Sequence, residues 1–120
     1  MDCIFCNHDR KVLQNDLCYA IYDGYPVSKG HMLIIPKRHI SSFFEATHSE
    51  RVAISNLLDI CKELLDKEYK PDGYNIGINV GESAGQTVMH LHIHIIPRYE
   101  GDMDNPRGGV RGVIPEKRLY

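Results

Sequence analysis

A chain of 120 residues, 42% hydrophobic and 25% charged with a formal charge of −2, is sized for a single domain, residues 1–120, and lacks the basic stripe that a broad nucleic-acid surface needs. No run approaches the roughly 20 apolar residues of a membrane span, and the start Met1-Asp2-Cys3-Ile4-Phe5-Cys6 has neither the basic segment nor the apolar run of a secretory leader. The expectation is a cytoplasmic protein with four reduced cysteines, able to hold a small anionic ligand through a few placed donors.

In chain order, residues 17–22 (LCYAIY) read as a strand, 23–30 as a loop dense in turn residues, and 31–35 as a second strand. Thr47 and Glu50 have capping-box spacing. Beyond them Ile54, Leu57, Leu58, Cys61, Leu64 and Leu65 recur at helical intervals, with Lys62, Glu63, Asp66 and Lys67 opposite, in a long helix that stops before Pro71 and Gly73. Cys61 on that stripe and Cys18 within a strand read as buried fillers. Tyr74, Ile76, Ile78 and Val80 alternate with Asn75, Gly77 and Asn79 in a third strand, 81–86 turns the chain, and 87–97 forms the last strand. Strands joined by a short loop pair antiparallel, so the reading is α+β, an antiparallel meander whose aliphatic face packs on one long helix. Asn75, Asn79, His90, His92 and His94 are then left on a face open to ligand. After Arg98 the pattern dissolves into a Gly/Pro/Arg tail over 101–120, where Arg98, Arg107 and Arg111 are suited to reach a polyphosphate or a second subunit.

The strongest signal lies in the last strand. His90, His92 and His94 alternate with Leu91, Ile93 and Ile95, which on a strand sets three imidazoles about 7 Å apart on one face. With 7 histidines in 120 residues, composition alone produces such a trio roughly 2% of the time. Imidazole can attack phosphorus as a neutral nucleophile near pH 7, because much of it is uncharged there. His92 could attack while its other nitrogen donates to a carbonyl, with His94 holding a phosphate oxygen. Just upstream, Gly85 permits close backbone approach, Gln86 offers an amide and Thr87 a hydroxyl, which suits an anion. The competing reading of the trio is an open metal site.

The stretch from Gly85 to Ile96, GQTVMHLHIHII, resembles the signature of the histidine triad family, and the resemblance extends through Gly30 to His39 (GHMLIIPKRH) and Asn79, covering about residues 3–100. It implies a homodimeric α+β fold and a nucleotide hydrolase or transferase acting at an α-phosphate. By the same resemblance His92 is the nucleophile, His94 binds the α-phosphate or bridging oxygen, Gln86 binds phosphate, Thr87 stands near the leaving group, Asp23 contacts ribose, and Asn79 touches phosphate or sugar. Ile4, Phe5, Tyr22 and Ile35 would line the base pocket. Dinucleoside polyphosphates and nucleoside phosphoramidates are the substrates implied. The tail would tune substrate choice.

Cys3-Ile4-Phe5-Cys6 begins the chain instead of following a strand, which favours half of a tetrahedral zinc site over a redox pair. In zinc-containing members of the family the other half corresponds to His39 and His90, giving a closed, structural site that keeps His90 neutral beside His92. Two other functional classes stay open at this point: a nucleotide-binding regulatory module with little turnover, and a zinc hydrolase using the histidines as an open site.

Overall fold

The computed structural model describes residues 3–120; Met1 and Asp2, the first residues read for a leader, lie outside the described residues. Five strands, β1 (Leu13–Gln14), β2 (Cys18–Tyr22), β3 (Met32–Pro36), β4 (Gly73–Ile78) and β5 (Ile93–Arg98), form one sheet in the order β1-β2-β3-β5-β4, antiparallel throughout. A single α-helix, α1 (His48–Tyr69), covers one face. The architecture is the expected α+β one, and among the described residues no helix is long and apolar enough to cross a membrane.

The helix starts where its sequence says. Thr47 Oγ1 accepts from the Glu50 N–H (3.1 Å) and Glu50 Oε1 accepts from the Thr47 N–H (2.9 Å), which occupies backbone donors the helix leaves unpaired. Glu50 is buried, and Arg38 grips both its oxygens at 2.8 and 3.0 Å. That guanidinium, with the Thr47 hydrogen bonds, holds the Glu50 carboxyl down at about 2 against the cost of burial. The stripe Ile54, Leu57, Cys61 and Leu65 meets Cys18, Ala20, Met32, Ile34, Ile93 and Ile95, the strand residues of alternate parity that face the helix. Burial pushes the Cys18 and Cys61 thiols up to about 11 and about 12, so they are the inert fillers their positions suggest. Gly30, at φ +87°, joins the loop to β3; a Cβ there would stand 2.9 Å from Tyr69 Cδ2, so the turn and the end of α1 both require glycine.

Residues of the other parity, Tyr19, Ile21, Leu33 and Ile35, lie on the opposite face, where no helix covers them. Phe5 from the N-terminal segment closes part of that surface, with the Tyr19 hydroxyl donating to its carbonyl.

One unread strand and two strand ends differ most from the sequence reading. Strand β1 is too short to leave a periodic signal. Strand β4 stops at Ile78 instead of Val80. Strand β5 begins at Ile93 instead of Thr87, because the preceding segment bonds elsewhere: the Leu91 N–H donates to the Ile40 carbonyl at 2.7 Å, and the Gln86 amide donates to the carbonyls of Ser41 and Val88. His90 therefore does not share a strand face with His94. It is fully buried, turned toward the N-terminal segment.

The tail folds onto itself. Arg118 donates to the carbonyls of Asn105 and Arg107, Arg111 to those of Lys117 and Arg118, and the Tyr120 ring lies 5.0 Å from the Arg107 guanidinium and 4.7 Å from that of Arg111. Arg98 instead joins Asp102 to Asn75. Arg98 and Arg111 thus donate to neighbouring groups, while the Arg107 guanidinium stacks on Tyr120.

Candidate functional site

On the face away from α1 a cleft of about 510 Å³ opens above Ile21, Leu33 and His94, three residues in one register row across β2, β3 and β5. That volume suits a ligand of nucleotide size. His92 lies beside His94 with ring centroids 5.2 Å apart, and Phe5 packs edge-on to His92 at 5.2 Å. Asn79, Gly85 and Thr87 reach the same end of the cleft from the loop between β4 and β5, while Asp23 and Tyr22 form its side. Gly85 holds φ +92°, a left-handed conformation that turns the loop back toward the histidines.

The proton positions follow from the partners. His92 Nδ1 lies 2.9 Å from the His90 carbonyl, which can only accept, so Nδ1 carries the hydrogen and the lone pair of the neutral ring sits on Nε2. A chain of bonds fixes His94 in the opposite sense. The Val27 N–H donates to His31 Nδ1 (3.1 Å), which leaves the hydrogen on His31 Nε2. That hydrogen is shared between His94 Nδ1 at 3.0 Å and Asp23 Oδ2 at 3.4 Å. His94 Nδ1 is thus an acceptor, and its Nε2–H becomes a donor. Burial, with His92 and His31 as neighbours, lowers the His94 pKa despite Asp23, and burial lowers that of His31. Both rings favour the neutral form, as this chain of bonds requires.

A second cluster lies behind the first. Cys3, Cys6, His39 and His90 bring their ligand atoms within 4.8 Å of one another. His39 Nδ1 is 3.1 Å from both His90 Nδ1 and Cys6 Sγ, and Cys3 Sγ is 3.4 Å from His90 Nδ1. His90 Nε2 donates to the Pro36 carbonyl at 2.7 Å, so the lone pair of its Nδ1 points into the cluster. Two thiols and two imidazole nitrogens converging on one point make a donor set that fits a closed tetrahedral zinc ion, with a backbone carbonyl orienting one imidazole. Asp23, His31 and His94 also come within such a distance. There the Val27 N–H occupies His31 Nδ1, keeps the hydrogen on Nε2, and so blocks the nitrogen a metal would need.

Several residues singled out in the sequence fall elsewhere. The Gln86 side chain is buried, donates to Ser41 and Val88, and accepts from the Gly81 N–H at 2.9 Å; it ties the loop together instead of facing the cleft. Asn75 sits two residues beyond the His94 row and accepts from Arg98, so it is not in the cleft. Ile35 pairs with Tyr19 beneath Phe5, one row too far; Ile21 and Leu33 form the floor in its place, with Ile4, Phe5 and Tyr22 as expected. Sequence reading gave no role to His31, although its position directly after Gly30 and before an apolar strand was the available signal. His8 and Arg10 also line the cleft and belong to no motif.

The cleft thus combines a histidine pair with a volume of nucleotide size on an antiparallel sheet. Residues 6–101 match the HIT domain family. The chain belongs to that family. It is 38% identical over 107 residues to an adenylylsulfatase of Arabidopsis thaliana, covering 84% of this chain and 54% of the relative, and 33% identical over 92 residues to an AP-4-A phosphorylase of Mycobacterium tuberculosis, covering 76% and 47%. The chain thus spans about half the length of these two curated relatives. Among solved structures it resembles a zinc-bound histidine triad family protein from Mycobacterium smegmatis, with a TM-score of 0.76 at 29% identity, covering 85% of this chain and 78% of that one.

Proposed function

We propose that the cleft cleaves a nucleotide at its α-phosphate through a covalent nucleotidyl intermediate on His92, the substrate being a dinucleoside polyphosphate or a nucleoside phosphoramidate. The observation that carries this reading is the bond from His92 Nδ1–H to the His90 carbonyl, which leaves Nε2 with a lone pair at the cleft. In the first displacement an Nε2–phosphorus bond forms as the bond from phosphorus to the leaving group breaks, and the leaving group departs with a proton from solvent or a neighbouring donor. In the second, water attacks phosphorus, the Nε2–phosphorus bond breaks, and the water's proton is released. His94 Nε2–H would hold a non-bridging or bridging oxygen, the Gly85 backbone and Asn79 the remaining oxygens, Thr87 the leaving group, and Asp23 the ribose, with Gln86 shaping the loop from behind. The activities named for the Arabidopsis and Mycobacterium tuberculosis relatives support a nucleotide substrate.

Zinc would be held by Cys3, Cys6, His39 and His90 and would fasten the N-terminal segment to the approach to β5. With no open position, such an ion contributes rigidity, not chemistry. The homodimer implied by the resemblance would use the free edge of β4, where Ile76 is exposed, and the reduced cysteines suit a cytoplasmic location.

Rapid quenching after mixing with adenosine phosphoramidate or diadenosine tetraphosphate, followed by mass spectrometry of the His92 peptide, should reveal an adenylyl adduct. His92→Asn should lower turnover on the order of 10⁴-fold. Turnover at the parental rate in that variant overturns the mechanism.

A further inference from the structure

We propose that His8 and Arg10 form a subsite that reads the acceptor edge of a 6-oxopurine, so that the cleft prefers guanine or hypoxanthine nucleotides to adenine ones. This rests on the nucleotide reading above and adds the identity of the base.

The sheet works as a ruler. His94, Leu33 and Ile21 occupy successive strands in one register row, and beyond β2 the next segment out is the one leading into β1, where the Val12 N–H bonds the Ala20 carbonyl at 2.8 Å. His8 and Arg10 precede that point in the chain and line the same cleft. Three strand spacings, roughly 14 Å, separate β1 from β5 and its His94. An extended nucleoside monophosphate with its phosphorus at His92 spans the cleft in that direction. Its sugar passes Asp23, its base lies over Ile21 and Leu33, and the outer edge of the base meets His8 and Arg10.

The chemistry of that end is one-sided. A guanidinium offers only donors. The Arg10 backbone N–H donates to His8 Nδ1 at 3.1 Å, which puts the hydrogen of the neutral His8 ring on Nε2 and makes it a donor as well. None of the ion pairs among the described residues involves the Arg10 guanidinium, so its fork is not committed to a carboxylate. A purine presents its N7 and 6-position along one edge: both are acceptors in guanine and hypoxanthine, whereas adenine sets an amino donor beside N7. Two donors find two acceptors on guanine or hypoxanthine, but on adenine only N7 accepts and the amino group opposes the second donor.

Isothermal titration of the intact protein with GMP, IMP and AMP provides the test, with Arg10→Met and His8→Phe alongside. GMP and IMP should bind about tenfold tighter than AMP, 7-deaza-GMP should bind more weakly than GMP because it lacks the shared N7 acceptor, and in each variant the GMP-to-AMP ratio should fall toward one. The ratio is the decisive reading, because loss of a merely attractive positive charge would weaken all three nucleotides alike and leave it unchanged. Equal affinity for GMP and AMP in the parent protein overturns the subsite while leaving a nucleotide cleft in place, as does a preference that survives both substitutions. Failure of all three nucleotides to bind overturns the nucleotide reading itself.

Discussion

The molecule contains two histidine clusters of nearly the same size, and they differ in where the backbone puts the hydrogen. Around His90 a carbonyl, that of Pro36, takes the outer N–H, so the inner nitrogen faces two thiols and a second imidazole as a lone pair. Around His31 an amide, that of Val27, occupies the outer nitrogen, so the inner one faces Asp23 and His94 as a donor. Residue type and spacing alone would have made both into metal sites. One backbone group on the far side of one ring makes the first suited to a cation and the second to passing hydrogen bonds.

The largest effect that sharpens this contrast is at the Cys/His cluster. Protein prepared without chelator should contain one zinc per chain, and Cys3→Ser combined with Cys6→Ser should remove it and lower unfolding stability by several kcal/mol in a denaturant titration. Two equivalents of zinc, or none, would break the comparison. At the other cluster His31→Leu, with no donor for His94 Nδ1, should reduce kcat about 100-fold with a smaller change in KM, whereas His31→Gln should restore part of the loss. An unchanged kcat in His31→Leu would mean that the His94 tautomer is set by something else.

Acid should act on the same cluster. The folded pKa values of His31 and His94 lie below the ordinary histidine value, so the stability these neutral rings provide is complete above about 6.5 and declines as pH falls below it, while the unfolded chain takes up protons first. Urea midpoints at pH 7 and 5 should show this fall, and His31→Gln should diminish it. Glu50 governs a lower window. Its pKa is depressed to about 2, so its contribution is present above the unfolded carboxylate value and lost as pH descends toward about 2. Arg38 is half exposed, which limits the pair, and Glu50→Gln should cost about 1–2 kcal/mol at neutral pH and nothing below that window.

What could be read in the sequence was what repeats or caps. Helix α1 announced itself through its stripe and the Thr47–Glu50 pair, and the sheet through apolar runs bounded by turn residues in β2 and β3 and alternation in β4. Alternation misled at His90 and Leu91. Both are fully buried although their parity differs, because the chain there follows the Ile40 carbonyl and the Gln86 cross-links instead of a neighbouring strand. For the same reason Gln86, a polar residue beside a glycine, read as a ligand contact when its amide was already committed. His31 escaped assignment because its importance comes from a neighbour 63 residues away, and no local pattern encodes such a meeting. Cys3 and Cys6 were legible as a pair, but their partners became legible only through the family resemblance.

The turn that carries the two thiols also carries Ile4 and Phe5, part of the apolar wall of the cleft, and Phe5 packs on the His92 ring. Two candidate metal ligands and part of the cleft wall are therefore joined in one stretch of four residues. Were zinc held there, its loss, or oxidation of the thiols, would loosen at one stroke both that wall and the His90 backbone whose carbonyl orients His92.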